Sequence, residues 1–150
     1  MKIIKYSRVH RPSFKKLNEE WLEKYFNVEP YDSTLLENCE PEIINKGGYI
    51  FFGIIDNEVM GTYALFPPVN GRTELGKMAV TESYQGKGYG QQLLKHALST
   101  AKSLGIKEIF LFSNRILKNS IYIYKKFGFK EIENVDSPYK RGNIKMLAKL

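Results

Sequence analysis

Residues Tyr84 to Gly90 read Tyr-Gln-Gly-Lys-Gly-Tyr-Gly, with a glycine at every second position directly ahead of the amphipathic run Gln91-Gln92-Leu93-Leu94-Lys95-His96-Ala97-Leu98. Upstream lies Arg72-Thr-Glu-Leu-Gly-Lys-Met-Ala-Val80, which alternates as a strand does. A strand that passes through a glycine turn into a long helix gathers free N–H groups and the positive end of a helix dipole at one point. Glycines let a ligand approach the backbone, and they adopt the positive φ angles that make successive N–H groups converge on an anion. The stretch therefore predicts a phosphate cradle built from Gly86, Gly88 and Gly90. No Lys-Ser or Lys-Thr closes the glycine run, which excludes a Walker loop. A dinucleotide fingerprint fails as well, because the sixth position is Gln91 counted from Gly86 and Leu93 counted from Gly88.

Beyond the turn, Leu93, Leu94, Ala97, Leu98, Ala101 and Leu104 mark one face of a helix that Gly105 should end. On the N-terminal side, Phe14, Leu17, Trp21, Leu22, Tyr25 and Phe26 predict a helix from about Pro12 to Phe26, and a shorter one is expected after Asp32 or Ser33. Tyr49-Ile-Phe-Phe-Gly-Ile-Ile55 and Val59-Met-Gly-Thr-Tyr-Ala-Leu-Phe66 flank Asp56-Asn57-Glu58 and predict a hairpin. After the long helix come an apolar strand over 106–112, a short helix over 120–127 closed by Gly128, and two last strands in 129–135 and 143–150. With a first strand at the N-terminus, the order specifies an α/β fold, a single mixed, mostly antiparallel sheet of six to seven strands flanked by about four helices. Residues 1–150 show no linker, repeat or low-complexity tract, so one domain is expected.

The composition narrows the function. Across 150 residues, 43% are hydrophobic and 13% aromatic, enough for one sizeable core. No apolar run spans a membrane and the N-terminus lacks a secretory signature, which predicts a soluble, cytoplasmic protein. Cys39 is the only cysteine and His10 and His96 the only histidines, so neither an intramolecular disulfide nor a metal site is expected. The 23 Lys and Arg against 16 Asp and Glu give a net charge of +7, which favours anionic partners such as a phosphorylated cofactor. The basic residues form isolated pairs rather than a block, so neither nucleic acid nor a membrane is the expected partner.

Gln85-x-x-Gly88-x-Gly90, between a strand ending at Val80 and a long helix, resembles the pyrophosphate-binding turn of the GNAT superfamily of acyl-CoA-dependent N-acetyltransferases. The resemblance extends from Lys77 to Leu94. It returns in Ser120-Ile-Tyr-Ile-Tyr-Lys-Lys-Phe-Gly-Phe129, which is similar to that family's C-terminal signature. Glu74 to Val80, the Ser113-Asn114 pair and Ser137 to Met146 are similar to the acetyltransferase domains fused in some proteins to MarR-type regulators. The resemblance implies a domain using acetyl-CoA as co-substrate and needing no metal, and it admits a homodimer. It also implies which residues act. Met78, Ala79 and Val80 would pair with pantetheine, and a backbone N–H among them would polarise the thioester carbonyl. Gln85, Gly86, Lys87, Gly88, Tyr89, Gly90 and Gln91 would hold the diphosphate.

Tyr124, four residues before Gly128, matches the family tyrosine that faces the CoA sulfur; protonated at neutral pH, it is the candidate general acid. For the base the family offers a carboxylate on this strand, one elsewhere, or a water chain. Glu74 is the only carboxylate in Arg72–Val80 and shares a face with Met78 if the strand is regular, a parity that a bulge would spoil. Many family members carry an Asn seven residues before the tyrosine, where this chain has Leu117. Asn114 is then the candidate for pantetheine or substrate, and Asn119 for capping the last helix. Trp21, Phe26 and Arg141 are the acceptor-side candidates, and an Arg141 facing the pocket would favour a substrate carboxylate. The expected activity is acetyl transfer from acetyl-CoA to a primary amine of a small molecule or peptide, by direct attack in a ternary complex. The alternative is a non-catalytic module that senses acyl-CoA.

Overall fold

The computed structural model describes residues 1–133 and 135–150. Seven strands form one sheet: β1 (Lys2–Lys5), β2 (Tyr49–Ile55), β3 (Glu58–Leu65), β4 (Arg72–Val80), β5 (Glu108–Ser113), β6 (Lys130–Ile132) and β7 (Ile144–Lys149). Their order across the sheet is β1-β2-β3-β4-β5-β7-β6, and among these pairings only that of β4 with β5 is parallel. Among the described residues the four α-helices are α1 (Arg11–Tyr25), α2 (Pro30–Glu37), α3 (Tyr89–Ser103) and α4 (Lys118–Lys126). This is the expected mixed sheet. Among the described residues no helix is long and apolar enough to cross a membrane.

Strand alternation sorts the core into two layers. Ile50 and Phe52 of β2 and Ala64 of β3 pack with Phe14 and Leu22 of α1 and Leu35 and Leu36 of α2. Their neighbours Phe51, Tyr63 and Leu65 turn the other way and pack with Leu93, Leu94, Ala97 and Ala101 of α3. The β2–β3 hairpin turns on Asp56 and Asn57, at φ 51° and 64°, the paired positive angles of a type I′ turn.

Both helices on the second face end alike. Gly105 (φ +78°) and Gly128 (φ +96°) take the left-handed conformation, and the next residue bonds back into the helix, Ile106 N–H to Ala101 O at 3.1 Å and Phe129 N–H to Tyr124 O at 3.0 Å. The second closure matters for function, since it seats the Phe129 ring 5.9 Å from that of Tyr124.

Two N-terminal expectations shift by physical detail. Helix α2 starts at Pro30, ahead of Asp32, and Asp32 sits in its first turn as half of a capping box with Glu29. Asn119 lies inside α4, whose N-cap is Leu117, so it does not cap that helix. The strand expected over 129–135 is seen as Lys130–Ile132, and Asn134 lies outside the described residues.

Candidate active site

Strand β4 positions the site through two irregularities. The first is a bulge: Thr62 faces Ala79 and Ala64 faces Gly76, so Lys77 and Met78 together oppose Tyr63, and Lys77 takes φ +51°. The second is a split, because β4 pairs with β5 only from Arg72↔Glu108 to Glu74↔Phe110, after which the strands part. Strand β5 goes on pairing with β7 to Ser113, which leaves the β5-facing edge of β4 beyond Glu74 without a strand partner.

A long groove runs from this split to the glycine turn, bordered by Met78, Ala79, Val80, Gln85, Gly86, Gly88, Gly90 and Gln91 on one side and by residues of the 116–126 segment on the other. Gly86 (φ +76°) and Gly88 (φ +85°) are left-handed, and Gly88 is the N-cap of α3. The first helical bond is Gln92 N–H to Gly88 O, and the N–H groups of residues 86–91 find no partner among the described residues. A Cβ built on Gly86, Gly88 or Gly90 meets nothing within 4 Å. Packing within the chain therefore does not require glycine at position 90, whereas a ligand lying against the backbone would. The Gln85 side chain braces the turn, Nε2 donating to Val80 O at 2.8 Å. Lys87 lies over the Tyr84 ring, Tyr89 meets that ring edge-on, and Lys126 reaches Gln91 across the groove mouth. An anionic diphosphate with an apolar arm fits these donors and walls.

A smaller cavity opens on the other side of the bulge, and Met78, Trp21, Leu117, Ser120 and Tyr124 border both spaces. Tyr124 stands at their junction; burial pushes its hydroxyl above the usual tyrosine range, and no side-chain bond engages it among the described residues. Glu74 lines the smaller cavity. Burial drives its carboxyl up to about 7, against the opposing pull of Lys77 and Lys145, and no hydrogen bond reaches it among the described residues. The bulge breaks the expected parity of Glu74 with Met78. Glu74 stands level with Phe110, opposite in alternation to Leu75, while Met78 packs with Leu75 against the α3 layer.

Trp21 and Phe26 line the smaller cavity, their rings 5.8 Å apart. Asn114 lines it too, away from the groove, and its amide is engaged at both ends: Nδ2 donates to Arg141 O and Oδ1 accepts from Ile116 N–H. It braces the loop before β7 rather than offering itself to pantetheine.

Arg141 lines the smaller cavity, as the sequence suggested, and its guanidinium is engaged within the chain. Its Nη1 and Nη2 donate to both oxygens of Asp32 at 2.6 and 2.9 Å, Nη1 also meets Glu29 at 3.1 Å, and the guanidinium lies 4.5 Å from the Tyr139 ring. Lys77 completes the cluster, bonded to Asp32 and 4.5 Å from the same ring. Asp32 is fully buried; burial would raise its carboxyl, but the Arg141 bonds and the Lys77 charge hold it below the usual carboxylate range. The joint role of Glu29, Asp32, Lys77 and Tyr139 was not foreseeable from spacing, because these residues lie at the cap and first turn of α2, on β4 and in the loop before β7.

Comparison with known proteins gives the same assignment. The profile of the Acetyltransferase (GNAT) family matches residues 12–129. YvbK, an uncharacterised N-acetyltransferase of Bacillus subtilis, is 30% identical over 116 residues, 75% of this chain and 74% of its own. A GNAT-family acetyltransferase structure from Staphylococcus aureus superposes with a TM-score of 0.88 at 25% identity, covering 99% of this chain and 98% of that one. The PaiA N-acetyltransferase of Thermoplasma acidophilum, in complex with coenzyme A, shares the fold with a TM-score of 0.78 at 21% identity, over 99% of this chain and 98% of its own. The profile spans both the glycine turn and the split strand, and the protein belongs to the GNAT family of acyl-CoA-dependent N-acetyltransferases.

Proposed function

We propose that the groove takes acetyl-CoA and the smaller cavity takes a primary amine, with transfer occurring directly between them beneath Tyr124. The observation that carries this reading is the junction itself: Met78 and Tyr124 border both spaces, so a donor and an acceptor would meet there without a covalent enzyme intermediate. Cys39, the sole cysteine, is fully buried in the α1–α2 layer and has no part in it.

The N–H groups of residues 86–91 hold the diphosphate, with the dipole of α3 behind them. The edge of β4 from Met78 to Val80 receives the pantetheine arm, which delivers an acyl thioester to the junction. A backbone N–H at the bulge polarises the carbonyl, as a preorganised donor does for a developing oxyanion. Glu74 accepts the proton from the substrate ammonium, since a carboxyl near 7 is basic enough to take it and still ionised in part at neutral pH. Tyr124 donates its proton to the departing thiolate and is reprotonated by the proton that the acylated nitrogen sheds; its raised pKa keeps its proton in place until then.

Tyr124→Phe tests the reading. Loss of a positioned acid lowers turnover about 100-fold, while acetyl-CoA still raises the melting temperature as it does for the parent protein. Unchanged turnover would remove Tyr124 from its role. Thermal stabilisation by acetyl-CoA with no thiol released across a broad amine panel would favour the second reading, a sensor of acyl-CoA.

A further inference from the structure

We propose that the acceptor is a hydrophobic primary monoamine with no carboxylate beside its reactive nitrogen; the proposal rests on the reading of the smaller cavity as the acceptor site. Charge balance in the cavity wall supports it. Glu29 and Asp32 are matched by Lys77 and Arg141, and Arg141 spends its guanidinium on both carboxylates and on the Tyr139 face. That cluster pairs two positive with two negative groups and is neutral overall. Glu74 is the lining carboxylate that the cluster does not use, and no hydrogen bond engages it among the described residues.

A second group points the same way. Asn18 is 3% exposed and lines the cavity, and its Nδ2 donates to Phe14 O at 2.9 Å. Because that partner is a carbonyl, the NH2 end of the amide must face it. The acceptor Oδ1 is left without a bond among the described residues. Glu74 and Asn18 Oδ1 are thus two unengaged acceptors on this wall, which suits a donor such as an ammonium, beside lining hydroxyls such as Tyr124 and Ser120 that can donate or accept. An α-amino acid would bring its own carboxylate next to Glu74, where the lining cations Lys77 and Arg141 are already paired, and a buried unpaired charge is costly.

Much of the remaining wall is apolar or aromatic, beside Ser113, Asn114 and Ser120. Trp21, Phe26, Leu22, Leu111 and Phe112 line the cavity. Lys77 and Arg141 already lie against the Tyr139 ring, whereas no cation is seen over Trp21 or Phe26 among the described residues. Those rings suit an alkyl or aryl tail, and a cation passing over them gains from their π faces.

The test compares kcat/KM, corrected for the free-base fraction, for 2-phenylethylamine, phenylalanine amide, phenylalanine and spermidine, with acetyl-CoA and thiol release as readout. Phenylethylamine and the amide should fall within tenfold of each other, with phenylalanine at least 30-fold below both and spermidine below phenylethylamine. Phenylalanine equal to the amide, whether both are good or both poor, overturns the proposal, because discrimination would then not follow the carboxylate charge. Spermidine as the best substrate overturns it too, by requiring a second anionic subsite. Failure of every amine together with no thermal stabilisation by acetyl-CoA would instead sink the acetyltransferase reading itself.

Discussion

The two spaces on either side of the β4 bulge are built by different means. The groove is largely a backbone site, with glycines at 86, 88 and 90, free N–H groups and an unpaired strand edge, and the turn at its centre occupies seven consecutive residues. The smaller cavity is built from side chains, and its charged wall joins residues 45 positions apart, Asp32 to Lys77, and 109 apart, Asp32 to Arg141. A ligand common to a whole family can be held by groups that every residue carries. A selective one needs particular side chains, and those must be locked by others.

The locking gives the largest expected effect. Asp32→Ala leaves Lys77 and Arg141 without their shared carboxylate in a nearly dry setting, and breaking such a pair costs about 3–5 kcal/mol. Denaturant unfolding should show that loss, and Asp32→Asn, which keeps part of the hydrogen bonding, should show less and preserve folding if the alanine variant does not. A loss below about 1 kcal/mol for Asp32→Ala would mean that the cluster is hydrated and the contrast between the two sites overstated.

Next comes Glu74, which should affect activity and stability in opposite directions. As a base it acts when ionised, so kcat/KM should climb through about pH 7 and level off above, with Lys77, Lys145, Tyr31 and Tyr139 the titratable groups around it. Glu74→Gln should flatten that limb and lower turnover about 100-fold. For stability, a carboxyl raised from 4.5 to about 7 on folding binds more protons in the native state than in the unfolded one. Its contribution is intact below 4.5 and is lost as the pH rises to 7 and beyond. Glu74→Gln should therefore melt higher than the parent at pH 8, by on the order of 1 kcal/mol after screening, and show no gain at pH 4. A limb that survives in the variant would assign the base to a carboxylate elsewhere or to a water chain.

This contrast also explains what could be read from the chain beforehand. Alternation in β2 to β4, the helical face of α3 and the glycine turn are short-range patterns, and all three appear where the sequence predicts them. The junction tyrosine was legible because Gly128 fixes its register. The Glu74–Met78 parity was not, since a bulge at a lysine with positive φ leaves no local signature such as glycine would. Arg141 was legible as a cavity residue, but its pairing was not, because its partners Glu29 and Asp32 lie more than a hundred positions away. Asp32 read locally as the residue before a helix and proves to be the third residue inside it, where one oxygen takes the Glu29 N–H, and nothing near it announces that its other oxygen holds Lys77.

The smallest expected effect tests whether the groove is held by backbone alone. Gly90 stands in the first turn of α3 without a positive φ, and a Cβ there meets nothing within 4 Å. Gly90→Leu should therefore leave the free protein no less stable, and helix propensity favours leucine by up to about 1 kcal/mol. A side chain over the cradle should nevertheless weaken acetyl-CoA binding about tenfold, a loss of about 1.4 kcal/mol, without changing the relative kcat/KM among amines. Calorimetric titration alongside a melting curve separates the two. A stable variant that binds acetyl-CoA as tightly as the parent would show that the diphosphate does not approach position 90, and the cradle would then have to be redrawn around Gly86 and Gly88. A variant that binds normally but reorders the amine panel would break the division between groove and cavity altogether.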